Sequence, residues 1–302
     1  MSEAMDTAGA RGSDGEVLDR LIRALRPKLH RYCARMTGSA IDGEDALQQA
    51  LEKAVEAFPR SGPIAHPERW LLRIAHNSAV DLVRRRGRLD AGREGDDPDM
   101  LADPASPIEA RAAAAAALRT FMALPAAQRS SVILMDVLGY SLDEIGEILG
   151  ASIPAVKASL HRGRARLRAF AAEPENRPLP ALAAPQRERL ATYVDRFNAR
   201  DFDAVRDMLA ADVRLDLVSR LRHHGKAKVG VYFTNYAKAA DWRFASGLVD
   251  GYLAAIASEP DDPTRTPTYF VLLEWSDEGV VAIRDFYHAR YAVEGAEIAL
   301  LG

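Results

Sequence analysis

Apolar positions recur at three- and four-residue spacing over most of the first 170 residues. Leu18, Leu21, Ile22, Leu25 and Leu29 fall on one helical face. Ala46, Leu47, Ala50, Leu51, Ala54 and Val55 do the same, and Trp70, Leu71, Ile74, Ala75 and Leu82 mark a further helix. RSGPIAHPE (60–68) interrupts the pattern with a Gly and two Pro, which predicts a loop. Helical spacing returns at Glu109 and runs to Met122. Leu124-Pro125 breaks it, and three more helices are expected up to about Ala172. Beyond residue 185 the pattern changes. Helical segments at 186–199 and 202–210 lead into VRLDLV (213–218), LVDGYLAAIA (248–257), TYFVLLEW (268–275) and VVAIRDFYHARYAV (280–293), which have the apolar and aromatic content of strands. The predicted fold class is multidomain: two all-α helical domains followed by an α+β domain.

Polar, Pro-containing stretches divide the chain. Residues 1–15 read as a disordered leader, 16–88 as the first helical domain, 89–107 as an acidic linker, 108–172 as the second helical domain, 173–185 as a Pro-rich linker and 186–302 as the α+β domain. Net charge is −3, so the chain is not a polycation. Its basic residues are nevertheless clustered, at Arg84, Arg85, Arg86 and Arg88 and again from Lys157 to Arg168. Cys33 is the only cysteine, which excludes an intrachain disulfide framework; it reads as a buried helix residue. The N-terminus has no signal-peptide core and no run approaches a membrane span, so a cytoplasmic location without membrane association is expected. No metal motif appears and no cofactor is expected.

One segment, YSLDEIGEILGASIPAVKASLHRGRARLR (140–168), carries specific chemistry. Ser141 with Glu144 forms a capping box, Leu142, Ile145, Ile148 and Leu149 make an apolar face, and Gly150 ends the helix. Ser152 caps a second helix with Pro154 in its first turn, and Val156 and Leu160 face inward. Two short helices joined by a Gly turn make a helix-turn-helix whose second helix would enter the major groove. The dipole at a helix C-terminus accounts for one or two cations. It accounts poorly for five Lys and Arg between Lys157 and Arg168 with no acid among them.

With its flanks, ALPAAQRSSVILMDVLGYSLDEIGEILGASIPAVKASLHRGRARLR resembles region 4 of sigma-70 family factors of the extracytoplasmic-function (ECF) group. IDGEDALQQALEKAVEAF (41–58) resembles region 2.2, and HPERWLLRIAHNSAVDLVRRR (66–86) resembles regions 2.3 to 2.4. The resemblance implies a sigma factor, not an enzyme, with core RNA polymerase (beta-prime and beta subunits) and promoter DNA as partners. It implies polymerase docking through Asp42, Glu44, Asp45, Gln48 and Gln49. For the minus-ten element it implies His66, Arg73, Asn77, Asp81, Arg84, Arg85 and Arg86. For the minus-thirty-five element it implies Pro154, Ala155, Lys157, Ala158, Ser159, His161, Arg162, Arg164 and Arg166. The chain departs from the family in two places. The 60–68 loop lacks the usual aromatic, and Ala158-Ser159 replaces the usual Ser-Arg. In the acidic linker, Glu94, Asp96, Asp97 and Asp99 are placed either to mimic nucleic-acid charge or to act as a solvated spacer.

RLATYVDRFNARDFDAVRDMLAADVRLDLV (189–218) resembles the opening of SnoaL-like, nuclear-transport-factor-like cone domains. The resemblance implies a sheet wrapped around helices with a pocket open to a small-molecule ligand. Asp216, Tyr232, Trp242, Glu274, Asp285 and His288 are its candidate liners, with His223 and His224 nearby. No nucleophile–base spacing appears among them, and the expected role is regulation of the sigma core in cis. Two other readings remain open: a one-component helix-turn-helix regulator with a ligand-sensing domain, and a SnoaL-type isomerase or cyclase fused to a DNA-binding module.

Overall fold

In the computed structural model the described residues are 3–87, 116–171, 182–240 and 242–301. The chain divides into two compact units, Met1–Pro174 and Glu175–Gly302. The whole acidic linker, with Glu94, Asp96, Asp97 and Asp99, lies outside the described residues, as do Arg88 and most of the Pro-rich linker.

The first unit is helical. α1 (Glu3–Thr37), α2 (Ala40–Ala57) and α3 (Pro67–Arg85) pack together. A short 3-10 turn (Leu118–Ala123), α4 (Ala126–Val132), a π turn (Ile133–Val137), α5 (Leu142–Leu149) and α6 (Ile153–Ala171) follow. α1 begins inside the stretch read as a disordered leader. A helix already nucleated extends at little cost, and Ala4, Met5, Ala8 and Ala10 are good helix formers. α2 starts where Ser39 accepts the backbone N–H of Ile41 and Asp42. Gly43 lets α2 lie against α1, since a Cβ there would sit 2.5 Å from the Ala34 Cα. One apolar cluster runs from Leu29 through Leu47, Leu72 and Phe121 to Ile145 and Leu160, so both helical regions share a core. Arg129, 2% exposed, joins them by donating to the carbonyl oxygens of Met36 (2.5 Å) and Leu124 (2.8 Å). Burial lowers its guanidinium pKa to about 10.

The second unit is α+β. α7 (Ala184–Asn198), α8 (Phe202–Asp207) and α9 (Lys226–Lys238) accompany a seven-stranded sheet of order β2-β1-β6-β5-β4-β3-β7. The strands are β1 (Leu209–Leu217), β2 (Leu221–His224), β3 (Arg243–Val249), β4 (Tyr252–Ser258), β5 (Tyr269–Ser276), β6 (Gly279–Asp285) and β7 (Ile298–Leu300). β1 pairs with β6 in parallel and every other pairing is antiparallel. Helices on a mixed sheet are the architecture expected from the SnoaL-like resemblance. The stretch read as one strand at 248–257 is a hairpin. Asp250 (φ 50°) and Gly251 (φ 86°) turn the chain between β3 and β4, as an Asp-Gly pair favours. The strand read to residue 293 ends at Asp285 and gives way to a 3-10 turn at Arg290–Val293.

Candidate nucleic-acid interface

The helix-turn-helix is built as its residues dictate. Ser141 and Glu144 form the reciprocal capping box, and Gly150 closes α5 at φ 66°. The Ser152 hydroxyl accepts the Ala155 N–H at 3.4 Å. On α6, Val156 and Leu160 are buried as expected. Pro154, Ala155 and Arg166 are exposed, and Lys157, Ala158, His161 and Arg162 are half-buried. Arg166 donates to Gln128 at 2.9 Å.

Two residues assigned to DNA lie elsewhere. Ser159 is 8% exposed and Arg164 is 6% exposed. The period of α6 places Arg164 four residues after Leu160, on the inward face. There it grips Asp136 through two bonds, Nε to Oδ2 at 2.9 Å and Nη2 to Oδ1 at 2.6 Å. Gly163 allows the close crossing with α4, since a Cβ would meet Val132 at 2.8 Å.

The α2 face also differs from expectation. Asp42 and Glu44 are 2% and 1% exposed. A buried carboxylate needs a partner, and each has one: Asp42 pairs with Arg86, and Glu44 with Arg26. Neither is presented to a partner helix. Asp45, Gln48 and Gln49 remain half-buried at the surface. Asp45 lies 3.3 Å from Arg86, and Gln49 accepts from Arg85 at 2.6 Å. The exposed Val55 continues this face. Two of the four arginines assigned to the minus-ten element therefore bridge α3 to α2.

On α3, Arg73, Asn77, Asp81 and Arg84 are exposed at near four-residue spacing and form one stripe, and His66 is exposed at its N-terminus. The N-terminal part of the stripe is occupied by α5. Arg69, which the sequence reading missed, donates to Glu147 at 2.6 Å and Glu144 at 3.1 Å. Arg73 donates to the Glu147 carbonyl oxygen. Glu68 accepts from Lys28 at 2.6 Å and from the Tyr140 hydroxyl. The backbone N–H and hydroxyl of Ser141, with Arg69, hold the Glu144 carboxyl below the usual carboxylate range. The acidic character of α5 is the legible signal for this contact.

Beneath the stripe, His76 Nδ1 lies 2.8 Å from the Tyr32 hydroxyl, and burial lowers its pKa to about 4. An unfolded His titrates near about 6.5, so the unfolded chain takes up this proton first as pH falls. Above that value the group has no effect. Between about 6.5 and 4 it costs stability progressively, at most about 3 kcal/mol. Chemical denaturation of parent and His76→Gln at pH 7 and pH 5 is expected to show a smaller acid-induced loss in the variant.

In the second unit the six candidate pocket residues do not converge. Strand alternation separates Asp216 and Glu274 from Asp285. Leu215, Leu273 and Ile283 face the helices, so Asp216 and Glu274 lie on the opposite face of the sheet. Tyr232, Trp242 and Asp285 are buried among rings, and His288 is exposed. Inside, Asp285 Oδ2 accepts from the Tyr232 and Tyr236 hydroxyls, each at 2.8 Å, and Oδ1 accepts the Tyr287 N–H at 2.7 Å. Tyr236 was missed, although its spacing from Tyr232 puts both hydroxyls on one face of α9. Phe197 packs edge-on against Phe202, Trp242 and Phe244 at 5.0–5.3 Å, so aromatic side chains pack where a pocket was expected.

Comparison with known proteins follows the same division. The family model for Sigma-70 region 2 matches residues 21–89, and that for Sigma-70, region 4 matches residues 115–167. The chain is 33% identical to the ECF RNA polymerase sigma factor SigE of Mycolicibacterium smegmatis, covering 51% of this chain and 62% of that relative. It is 31% identical to the ECF RNA polymerase sigma factor SigM of Mycobacterium tuberculosis, covering 55% of this chain and 83% of that relative. The crystal structure of the M. tuberculosis extracytoplasmic function sigma factor SigJ aligns over 88% of this chain and 95% of its own, at 22% identity and a TM-score of 0.35. Among the described residues no helix is long and apolar enough to cross a membrane. With region 2 and region 4 matched in order, and most of the length of SigM covered, the chain belongs to the ECF RNA polymerase sigma factors.

Proposed function

We propose that the chain binds core RNA polymerase and directs it to promoters, and that its C-terminal unit regulates this in cis rather than acting as an enzyme. The observation that supports this reading is the presence of two helical stripes at the surface of one helical unit. One is Arg73, Asn77, Asp81 and Arg84 on α3; the other is Pro154, Ala155, Lys157, Ala158, His161 and Arg162 on α6. Asn77 offers amide groups to base edges and Arg84 a charge to phosphates. His66 stands at the N-terminus of the same helix, in the 60–68 loop, where it is free to stack on an unpaired base. Lys157, Arg162 and Arg166 neutralise phosphates while the first turn of α6 meets base edges. Asp45, Gln48 and Gln49, beside the exposed Val55, form the polymerase-facing surface. Arg85 and Arg86 act chiefly by holding α3 on α2. Use of Arg73 on DNA requires that α5 separate from α3, because Glu147 occupies its guanidinium.

The test is promoter-dependent transcription by sigma-free core polymerase with the purified chain, comparing residues 1–302 with 1–175. Specific transcripts from either form are expected, with unequal yields if the C-terminal unit regulates. Lys157→Glu with Arg162→Glu is expected to lower transcription from a minus-thirty-five-dependent promoter by about tenfold or more while leaving polymerase binding intact. Absence of polymerase binding with DNA binding retained would replace this reading with a one-component regulator.

A further inference from the structure

A groove of about 470 Å³ runs over the outer face of the C-terminal sheet, across β2, β1, β6 and β5. The register brings its charges together. Asp216 stands opposite Arg222 on one side and Arg284 on the other, and Arg214 stands opposite His224. Three guanidinium groups meet two carboxylates there. Asp216 lies 3.6 Å from both Arg222 and Arg284, and Glu274 lies 3.9 Å from Arg214. These separations are too long for hydrogen bonds. The Arg214 and Arg222 side chains are 66% and 69% exposed, so their donors point into water. The hydrophobic core lies on the other face of the sheet, so packing does not require the exposed Arg214 and Arg222, whereas Arg284 stacks over the Phe286 ring.

The groove ends at a sheet edge. β2 is the terminal strand, and among the described residues no strand pairs with its outer side. Alternation puts Arg222 and His224 on the groove face and Leu221 and His223 on the other. Leu221 is 42% exposed. An open edge strand invites another strand unless it is blunted.

We propose that the β2 edge is a docking site for an extended segment of a partner protein that alternates acidic and apolar side chains. Main-chain hydrogen bonds would add the segment to the sheet, and side chains on its two faces would give specificity. Its carboxylates meet Arg222 and Arg214 in two-pronged contacts. Its apolar side chains cover Leu221. A free phosphate or a nucleic acid suits the site less well. Asp216 and Glu274 repel a continuous polyanion, and Leu221 offers phosphate nothing. This proposal does not depend on the sigma reading.

The test uses the full chain and a fluorescein-labelled peptide of alternating Glu and Val, about eight residues long, an ordinary strand length. Fluorescence anisotropy is expected to show saturable binding that weakens between about 50 mM and about 500 mM salt. Arg214→Glu with Arg222→Glu is expected to weaken it about tenfold or more, and Leu221→Asp to weaken it as well. These side chains are exposed, so the variants are expected to melt like the parent. The proposal is overturned if the variants bind the peptide as the parent does, or if an alternating Lys and Val peptide binds equally. It is also overturned if an oligonucleotide binds with the same dependence on Arg222. Concentration-dependent dimerisation abolished by Leu221→Asp would assign the edge to a second copy and overturn it too.

Discussion

Arg164→Ala is expected to destabilise the N-terminal unit by about 3–5 kcal/mol, the usual cost of breaking a buried ion pair from one side. Asp136 is fully buried at its side chain and receives both of its close bonds from Arg164. Alanine leaves that carboxylate charged in the interior, next to the packed crossing of α4 and α6. Thermal melting followed by circular dichroism reads the loss, expected as a drop in Tm of about 10 °C for a unit of this size. Replacing both partners, Arg164→Met with Asp136→Leu, is expected to recover much of it, because two apolar side chains leave no unpaired charge. The experiment separates structure from DNA contact. A phosphate ligand on an exposed face would lose DNA affinity and salt dependence while leaving Tm unchanged. If Arg164→Ala melts with the parent, Arg164 is not the internal anchor described above.

Asp285→Ala is expected to have a comparable effect in the C-terminal unit. The carboxylate accepts three donors, the hydroxyls of Tyr232 and Tyr236 and the Tyr287 N–H, and is 2% exposed. Each buried donor left unpaired costs about 1–3 kcal/mol, so a loss of about 3–9 kcal/mol is expected for three. Asp285→Asn keeps one acceptor oxygen and is expected to cost less. The pH dependence has a defined sign. Burial raises the Asp285 pKa, opposed by the Tyr287 N–H and the two tyrosine hydroxyls. The unfolded carboxyl ionises first, near about 3.9. Its contribution to stability is therefore greatest at or below that pH and declines as pH rises through the folded value. The advantage of the parent over Asp285→Asn in denaturant titrations is expected to shrink from pH 4 toward neutrality. An advantage that grows over this range would mean that the three donors outweigh burial.

These two residues show why candidate sites are harder to read than folds. Arg164 reads as one more cation in a basic run, and Asp285 as one more polar residue near a strand. Each is instead satisfied internally by residues that are distant in the chain or one helical turn apart. Asp42 and Glu44 follow the same rule. Their positions on α2 suggest a free acidic face, but Arg86 and Arg26 arrive from α3 and α1 and cover them. A desolvated charge must find a counter-charge wherever the fold supplies one.

What the sequence by itself determined is the set of features that depend on neighbours within a few residues. Helical periodicity, the Ser141–Glu144 capping box and the Gly150 stop locate the helix-turn-helix. The Pro and Gly of the 60–68 loop separate α2 from α3. The hairpin turn at Asp250-Gly251 was also legible, although the strand reading ran through it. Family membership rests on such local motifs in order. The tertiary structure alone decided which face each charge occupies. It turned Arg164 inward to Asp136, set Glu144 and Glu147 on Arg69, put Asp216 and Glu274 on the sheet face opposite Tyr232, Trp242 and Asp285, and joined Arg222, Asp216 and Arg284 from three strands. Periodicity states that a residue shares a face with others of its own element. It does not state which element covers that face, because pairing between distant segments is set by packing and electrostatics over the whole unit.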